Sequence, residues 1–344
     1  YIEGKKDPSD IHGIYYRNNG SILSGKSLKV IDNLDDLPFP SRYLVKKYDY
    51  GNFSFGLKFK KKVTSSITSR GCPFHCRFCT RYSNVIGAWG FRQRSAQNVL
   101  QEFEELDGQY GSMLIVDDSF LADKKRAHAI FDGLISMGSD IDLHIVGTRV
   151  DYADRDLYKK MKQAGVKMVT YGIESGNQDV LDFYDKRVTV PQIRDTVQLA
   201  REMNFFTVAT FIIGAPIETK EHIENTIEFA CSLPLDVALF GALGYMKGSQ
   251  LWDEAVKNNL LSKDLEGVLA DSRKGLGNFT LEELIIYGSK AFQRFYFRPS
   301  YILGQVYRSI LRNDYSLLFN GLNYLFKVKK IEKKSRDQFL QKEL

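Results

Sequence analysis

From Val63 to about Tyr245 the chain alternates between two patterns of apolar and polar residues. Short apolar runs at 63–68, 113–116, 143–147, 166–172, 206–213 and 236–243 are rich in Val, Ile and Thr, and predict buried strands. Between them lie segments with an apolar residue every three or four positions, as in helices that cover a core with one face. The first is predicted to start after Ser95, an N-cap residue, and to run to about 106 with Val99, Leu100, Phe103 and Leu106 on one side. Others are predicted near 123–137, 154–164, 191–203 and 221–231. Such alternation implies an α/β fold whose parallel sheet is linked by right-handed crossovers. The repeat length suits a barrel or partial barrel, with its active site at the C-terminal ends of the strands. An open doubly wound sheet satisfies the same periodicity.

The flanks break the pattern. Residues 1–62 are polar and turn-rich, and Asp35-Asp36-Leu37-Pro38-Phe39-Pro40 marks an extended connector. Beyond Gly248 the pattern is helical, rich in Tyr and Phe, and gives no strand signal. Three regions are therefore expected: 1–62, 63–248 and 249–344. Helical aromatic stripes usually pack against a core. Segment 315–326, with Leu317, Leu318, Phe319, Leu322, Leu325 and Phe326, is expected to dock on the sheet, a membrane surface being the alternative.

Composition, 43% hydrophobic and 26% charged, is that of a soluble globular protein. The longest apolar stretches, such as 235–243, fall far short of the roughly 20 residues that span a bilayer. With no signal peptide visible, a cytoplasmic location is expected. The chain begins at Tyr1 rather than Met, so truncation is expected too. The net charge of +6 owes much to Lys327, Lys329, Lys330, Lys333, Lys334, Arg336 and Lys342, read as a solvated basic tail, a nucleic-acid or anionic-lipid surface being the alternative.

Of four cysteines, three crowd into Cys72-Pro73-Phe74-His75-Cys76-Arg77-Phe78-Cys79, directly after the first predicted strand. Disulfide-stapled chains distribute cysteines differently, so reduced thiols are expected. Soft thiolates at this spacing select zinc or an iron–sulfur cluster. A structural zinc needs four closed ligands. Cys231 is remote, and His75 is badly placed beside Cys76. Three ligands on a four-iron cluster would leave one iron open, an arrangement suited to catalysis.

Cys-x3-Cys-x2-Cys with an aromatic before the last cysteine resembles the signature of the radical S-adenosylmethionine (SAM) superfamily. The resemblance implies a partial (β/α)6 TIM-like barrel. It also implies a [4Fe–4S] cluster on Cys72, Cys76 and Cys79, with SAM bound at the open iron and cleaved to a 5′-deoxyadenosyl radical. Other segments are similar to that family's SAM contacts. Val116-Asp117-Asp118-Ser119-Phe120 would place Asp118 at the amino group, unless Asp118 instead caps the next helix. Gly147-Thr148-Arg149 would place Arg149 at the carboxylate, an ordinary surface arginine being the alternative. Tyr171-Gly172-Ile173-Glu174-Ser175-Gly176 would place Glu174 at the ribose. Thr210-Phe211-Ile212-Ile213-Gly214-Ala215-Pro216 would place Ile213 and Gly214 at the adenine, and Phe78 completes the set.

Gly13-Ile14-Tyr15-Tyr16-Arg17, the Leu34–Pro40 connector, Phe91-Arg92-Gln93-Arg94-Ser95 and Phe297-Arg298-Pro299-Ser300-Tyr301-Ile302-Leu303 resemble the cobalamin-linked branch. This implies a cobalamin domain outside this chain and methylation of an unactivated carbon. Cyclisation, isomerisation or another non-methylating radical reaction is the alternative, and a non-catalytic electron-transfer protein a remote one. A small-molecule or lipid-like substrate and a flavodoxin or ferredoxin donor are expected. Lys247 stands where the family often has proline, so the substrate does not carry over.

Overall fold

The computed structural model describes residues 6–48, 59–60, 62–80 and 90–319. The six expected strands are present: β1 (Val63–Ser66), β2 (Ser112–Ile115), β3 (Asp142–Thr148), β4 (Val166–Glu174), β5 (Phe206–Ile213) and β6 (Val237–Ala242). They form one sheet in which every neighbouring pair is parallel and the spatial order is the chain order. That order separates the two architectures left open by periodicity. A doubly wound sheet reverses its strand order at a switch point. An unbroken order with right-handed crossovers puts all the crossover helices on one face and curls the sheet. β1 and β6 are not paired, so the sheet is a partial barrel with an open side.

The crossover helices are α1 (Ala96–Leu106), α2 (Lys124–Met137), α3 (Arg155–Gln163), α4 (Gln178–Phe183), α5 (Val190–Glu202) and α6 (Lys220–Ser232). Ser95 caps α1 by accepting from the Asn98 amide, as its sequence position predicts. Thr189 with Gln192, and Thr219 with His222, form reciprocal capping boxes on α5 and α6. The short α4, six residues with Val180 and Leu181 buried, is too brief to show a sustained helical period. Inward faces of the helices meet the sheet in a core that includes Phe103, Phe131, Ile145, Met161 and Val197, all fully buried. Each such side chain contributes about 1.5–3 kcal/mol.

The N-terminal region contains a hairpin, Tyr15–Asn18 paired with Ser21–Ser24. Its connector is tied to the barrel by charge. Glu102 of α1 is buried and accepts from Arg42 (2.6 Å), Arg94 (2.5 Å) and Ser66 (2.7 Å). Burial alone would raise this carboxyl, but its three donors hold it below the ordinary range.

Beyond the barrel come α7 (Gln250–Lys257), α8 (Leu281–Tyr296) and α9 (Pro299–Arg312). The expectation of no strand here is corrected by Gly267–Leu269, which pairs antiparallel with Gly244–Met246. Three residues are too few to show a period-two pattern. The pairing also crosses the expected 248/249 boundary, as do the Arg77–Glu254 ion pair (2.6 Å) and the Leu251 amide donating to the Arg77 carbonyl (3.0 Å).

The exposed edge of β6 is covered by α8. The Tyr296 hydroxyl accepts from the Ala238 amide (3.1 Å) and donates to its carbonyl (3.0 Å), satisfying backbone groups that an edge would leave unpaired. Below that edge Asp236 is buried, facing Arg308 (2.8 Å) and Arg312 (2.9 Å) of α9 and accepting from the Thr207 amide (2.9 Å). Only 315–319 of the segment 315–326 lies among the described residues. There Leu317 packs on the cluster of Met168, Phe206, Val208 and Val237, in line with docking. No helix among the described residues is long and apolar enough to cross a membrane.

Candidate functional site

The three clustered cysteines follow β1 at the C-terminal rim of the sheet, and each is a free thiol. Their loop is fastened where it leaves and rejoins the barrel. Ser69 and Arg70 pair with Gln93 and Arg92 as a two-residue ladder. Asp117, at the end of β2, accepts from the Thr68 amide (2.6 Å), the Thr68 hydroxyl (2.6 Å) and the Ser69 hydroxyl (2.7 Å). Asp117 is therefore structural. It presents the next residue, Asp118, at the surface of the rim, where its Oδ2 accepts from the Gly71 amide at 3.2 Å. Asp118 does not cap the following helix; Asp123 does, accepting from the Arg126 amide.

Arg149 is not the ordinary surface arginine of the alternative reading. It is buried rather than on the surface, and its donors are engaged. It forms a double contact with Asp151 (2.9 and 3.0 Å) and donates to the Lys186 carbonyl (2.6 Å). Its remaining terminal nitrogen lies 3.8 Å from Cys76 Sγ, and its guanidinium stacks 3.6 Å from the Phe74 ring centre. Arg149 thus grips the cysteine loop by one of its thiols and one of its rings.

Glu174 ends β4 with φ of +71°, an unusual conformation for a residue with a side chain, next to a register shift against β5. Its carboxylate folds over Gly172, where any Cβ would collide with it, and pairs with Lys186 at 2.7 Å. Both partners are buried. Lys186 was not foreseen: it lies in the polar segment Tyr184-Asp185-Lys186-Arg187, and only the fold brings it to a strand end twelve residues earlier. Its ammonium is 5.8 Å from the Phe78 ring, which meets Tyr184 edge-on at 5.0 Å. Phe78, Glu174 and Lys186 therefore form one group beside the cysteine loop.

At the end of β5, Ile213 and Gly214 are both closely packed. Ile213 is buried, in the same cluster as Ile223 and Ile227 of α6, on the helix side of the sheet. Strand alternation turns Thr210 and Ile212 to the opposite face. Gly214, at φ +99°, has no free space above it either: a Cβ would meet Leu284 Cδ1 of α8 at 2.7 Å. Its amide (2.6 Å) and that of Ala215 (2.8 Å) donate to one oxygen of buried Glu218, a second residue absent from the expected set. The other Glu218 oxygen, the Tyr184 hydroxyl and the Trp252 indole nitrogen have no partner among the described residues. Burial pushes Glu218 up to about 7, against the pull of those two amides.

The donor set fits an iron–sulfur cluster. Burial raises the Cys72 thiol, and burial with repulsion from Cys76 and Cys72 pushes Cys79 up to about 11. Cys79 reaches the surface, but enclosing loop atoms still withdraw water from it. A bound cation would offset the charge of Cys72 and Cys79 and favour their thiolate forms, which ligate metal. Cys231, half-buried, packs with the hydrophobic cores instead.

The sequence profile of the radical SAM superfamily matches residues 66–230. An uncharacterized methyltransferase of Pyrococcus horikoshii is 33% identical over 303 residues, covering 86% of this chain and 64% of that protein. Cytidylyl-2-hydroxyethylphosphonate methyltransferase of Streptomyces wedmorensis is 27% identical over 299 residues, covering 77% and 55%. The anaerobic magnesium-protoporphyrin IX monomethyl ester cyclase of Cereibacter sphaeroides is 28% identical over 234 residues, covering 66% and 37%. The chain thus spans between 37% and 64% of these relatives' lengths. Among solved structures, the radical SAM methyltransferase TsrM from Kitasatospora setae, with cobalamin and a [4Fe–4S] cluster bound, gives a TM-score of 0.57 at 17% identity. That match covers 75% of this chain and 51% of TsrM. The cobalamin-dependent SAM radical enzyme OxsB gives 0.55 at 18% identity, covering 75% and 37%. At these identities the likeness is one of fold.

Proposed function

The chain belongs to the radical SAM superfamily through residues 66–230, and from that premise we propose that it is the radical-generating part of a cobalamin-dependent methyltransferase acting on an unactivated carbon. The observation that carries this reading is the convergence, at one rim of the barrel, of three free thiols, Asp118 and the buried Glu174–Lys186 pair. Bound together, a [4Fe–4S] cluster and SAM supply one-electron cleavage of the sulfonium, giving methionine and a 5′-deoxyadenosyl radical.

In this reading Cys72, Cys76 and Cys79 hold the cluster, and Arg149 fixes Cys76 through its thiol contact and Phe74 through stacking. With Arg149 so engaged, Lys186, a buried cation beside Phe78, would receive the SAM carboxylate. Asp118, acidic and exposed, would accept from the amino group. Glu174 would bind the ribose hydroxyls. The backbone around Ile213 and Gly214, with the inward side chain of Ile212, would flank the adenine. Cobalamin would be carried outside residues 1–344, the substrate would be a small or lipid-like molecule, and a flavodoxin or ferredoxin would supply the electron.

Reconstituted anaerobically, reduced and given SAM, this chain should form 5′-deoxyadenosine and, lacking a methyl donor near the radical, transfer no methyl group. Methyl transfer requires the donor within roughly 3–3.5 Å of the reacting carbon. Full-length protein with cobalamin should methylate its substrate; equal turnover without cobalamin would refute the methyltransferase reading. The cyclase relative favours the second reading, a non-methylating radical reaction at the same site. A non-catalytic electron carrier would have no use for SAM binding, which the same assay detects.

A further inference from the structure

α9 is amphipathic in the inverted sense. Its buried residues, Gln305, Arg308 and Ser309, are polar; Gln305 and Arg308 turn towards Asp236, with Tyr301 donating to the Asp236 carbonyl (2.7 Å) and Arg312 to its carboxylate. The opposite face carries Ile302 (48% exposed), Leu303 (70%), Val306 (42%), Tyr307 (58%), Ile310 (59%) and Leu311 (54%). Single exposed apolar residues are ordinary, but six on one stripe of one helix mark a contact surface.

From this stripe we infer that α9 lies on an anionic lipid surface, making the protein a peripheral membrane protein. Two observations choose this occupant. The first is size. A helix of 14 residues is about 21 Å long, and its stripe presents six large side chains, whereas a stable homodimer buries about 20–30 residues a side. An interfacial helix needs no more than such a stripe sunk roughly 5–10 Å into the headgroup boundary. The second is charge. The last eighteen residues of the sequence carry seven Lys and Arg against three Asp and Glu, close behind α9. An apolar face followed by a polybasic run gives the two signals that membrane attachment needs, each basic residue adding about 1 kcal/mol near anionic lipid. Tyr307 suits the boundary, with an apolar ring and a polar tip.

The test is co-sedimentation of the full chain with vesicles of phosphatidylcholine alone or mixed with phosphatidylglycerol. The chain should bind the mixed vesicles, less so at high salt, and Leu303→Asp with Ile310→Asp should weaken binding at least about tenfold. Thermal unfolding and cluster absorbance of the double variant should match the parent, because both side chains face outward. Binding that survives the double substitution overturns the proposal, as does equal binding to both vesicle types. Absence of vesicle binding overturns it too, and sedimentation velocity then names the occupant. A dimer dissolved by the double substitution would assign the stripe to a second copy, and a monomer destabilised by it would assign the stripe to residues 320–344.

Discussion

The two ends of the sheet treat buried charge in opposite ways. At the N-terminal ends of the strands, Asp236 faces two arginines and a backbone amide, and these hold its carboxyl below the ordinary range although burial alone would raise it. At the C-terminal ends, Glu218 keeps one oxygen without a partner among the described residues and is raised to about 7. The Cys72 and Cys79 thiols there are raised as well, and Tyr184 is pushed up by burial first, then by Glu218 and Glu174. The Asp236 carboxylate is satisfied from within the chain. A binding end leaves some to be satisfied by what binds, as perturbed groups in functional sites do.

The sharpest way to break this contrast is at the cysteines. Replacing Cys72, Cys76 or Cys79 with Ser should abolish iron and sulfide uptake on anaerobic reconstitution, while Cys231→Ser should leave both unchanged. A Cys231 variant unable to take up iron would move the cluster elsewhere.

Next in size is Asp236→Asn. It leaves Arg308 and Arg312 without their counter-ion in a buried site, where breaking such a pair costs about 3–5 kcal/mol. Thermal or denaturant unfolding should show that loss, and one below about 1 kcal/mol would mean that solvent already shares the network.

Glu174→Gln and Lys186→Met should lower SAM affinity roughly ten- to a hundredfold, about 1.5–3 kcal/mol, with the cluster spectrum unchanged. Equal affinity in both variants would separate this pair from the SAM site.

The smallest effect is a pH slope. Glu218 has a raised folded-state value, so its contribution to stability is complete below the ordinary carboxyl range and is lost as pH rises towards about 7. Glu102 and Asp236 are depressed, so their contributions are present above that range and are lost as pH falls below it. Glu218→Gln should cost about 1 kcal/mol or less near pH 6 and remove the loss between pH 5 and 7, read by denaturant unfolding. A slope that survives the substitution belongs to another group.

Much of this contrast lay outside the reach of periodicity. All six strands and five crossover helices were legible, because apolar spacing reports which face of an element is buried. Ser95, Thr189 and Thr219 mark helix starts in the sequence for the same local reason. What escaped depends on pairing in space. Lys186 reads as a loop lysine until β4 and α4 bring it over Glu174. Arg149 reads as a free cation until Asp151, Phe74 and Cys76 close around it. Glu218 could have been suspected, since a carboxylate four residues after a strand-ending glycine is placed to accept from that turn's amides. At Ile213 the side chain packs among Ile223 and Ile227, so alternation leaves Ile212 on the other face of β5.

The latch at Asp236 also orders events in time. Each strand of the sheet pairs with the strand synthesised just before it, so the barrel can assemble from its N-terminal side as the chain emerges. The last strand is different. Asp236 must wait for Arg308 and Arg312, both on α9, before its buried charge is balanced. Until α9 arrives, the buried charge beneath β6 lacks its arginine partners.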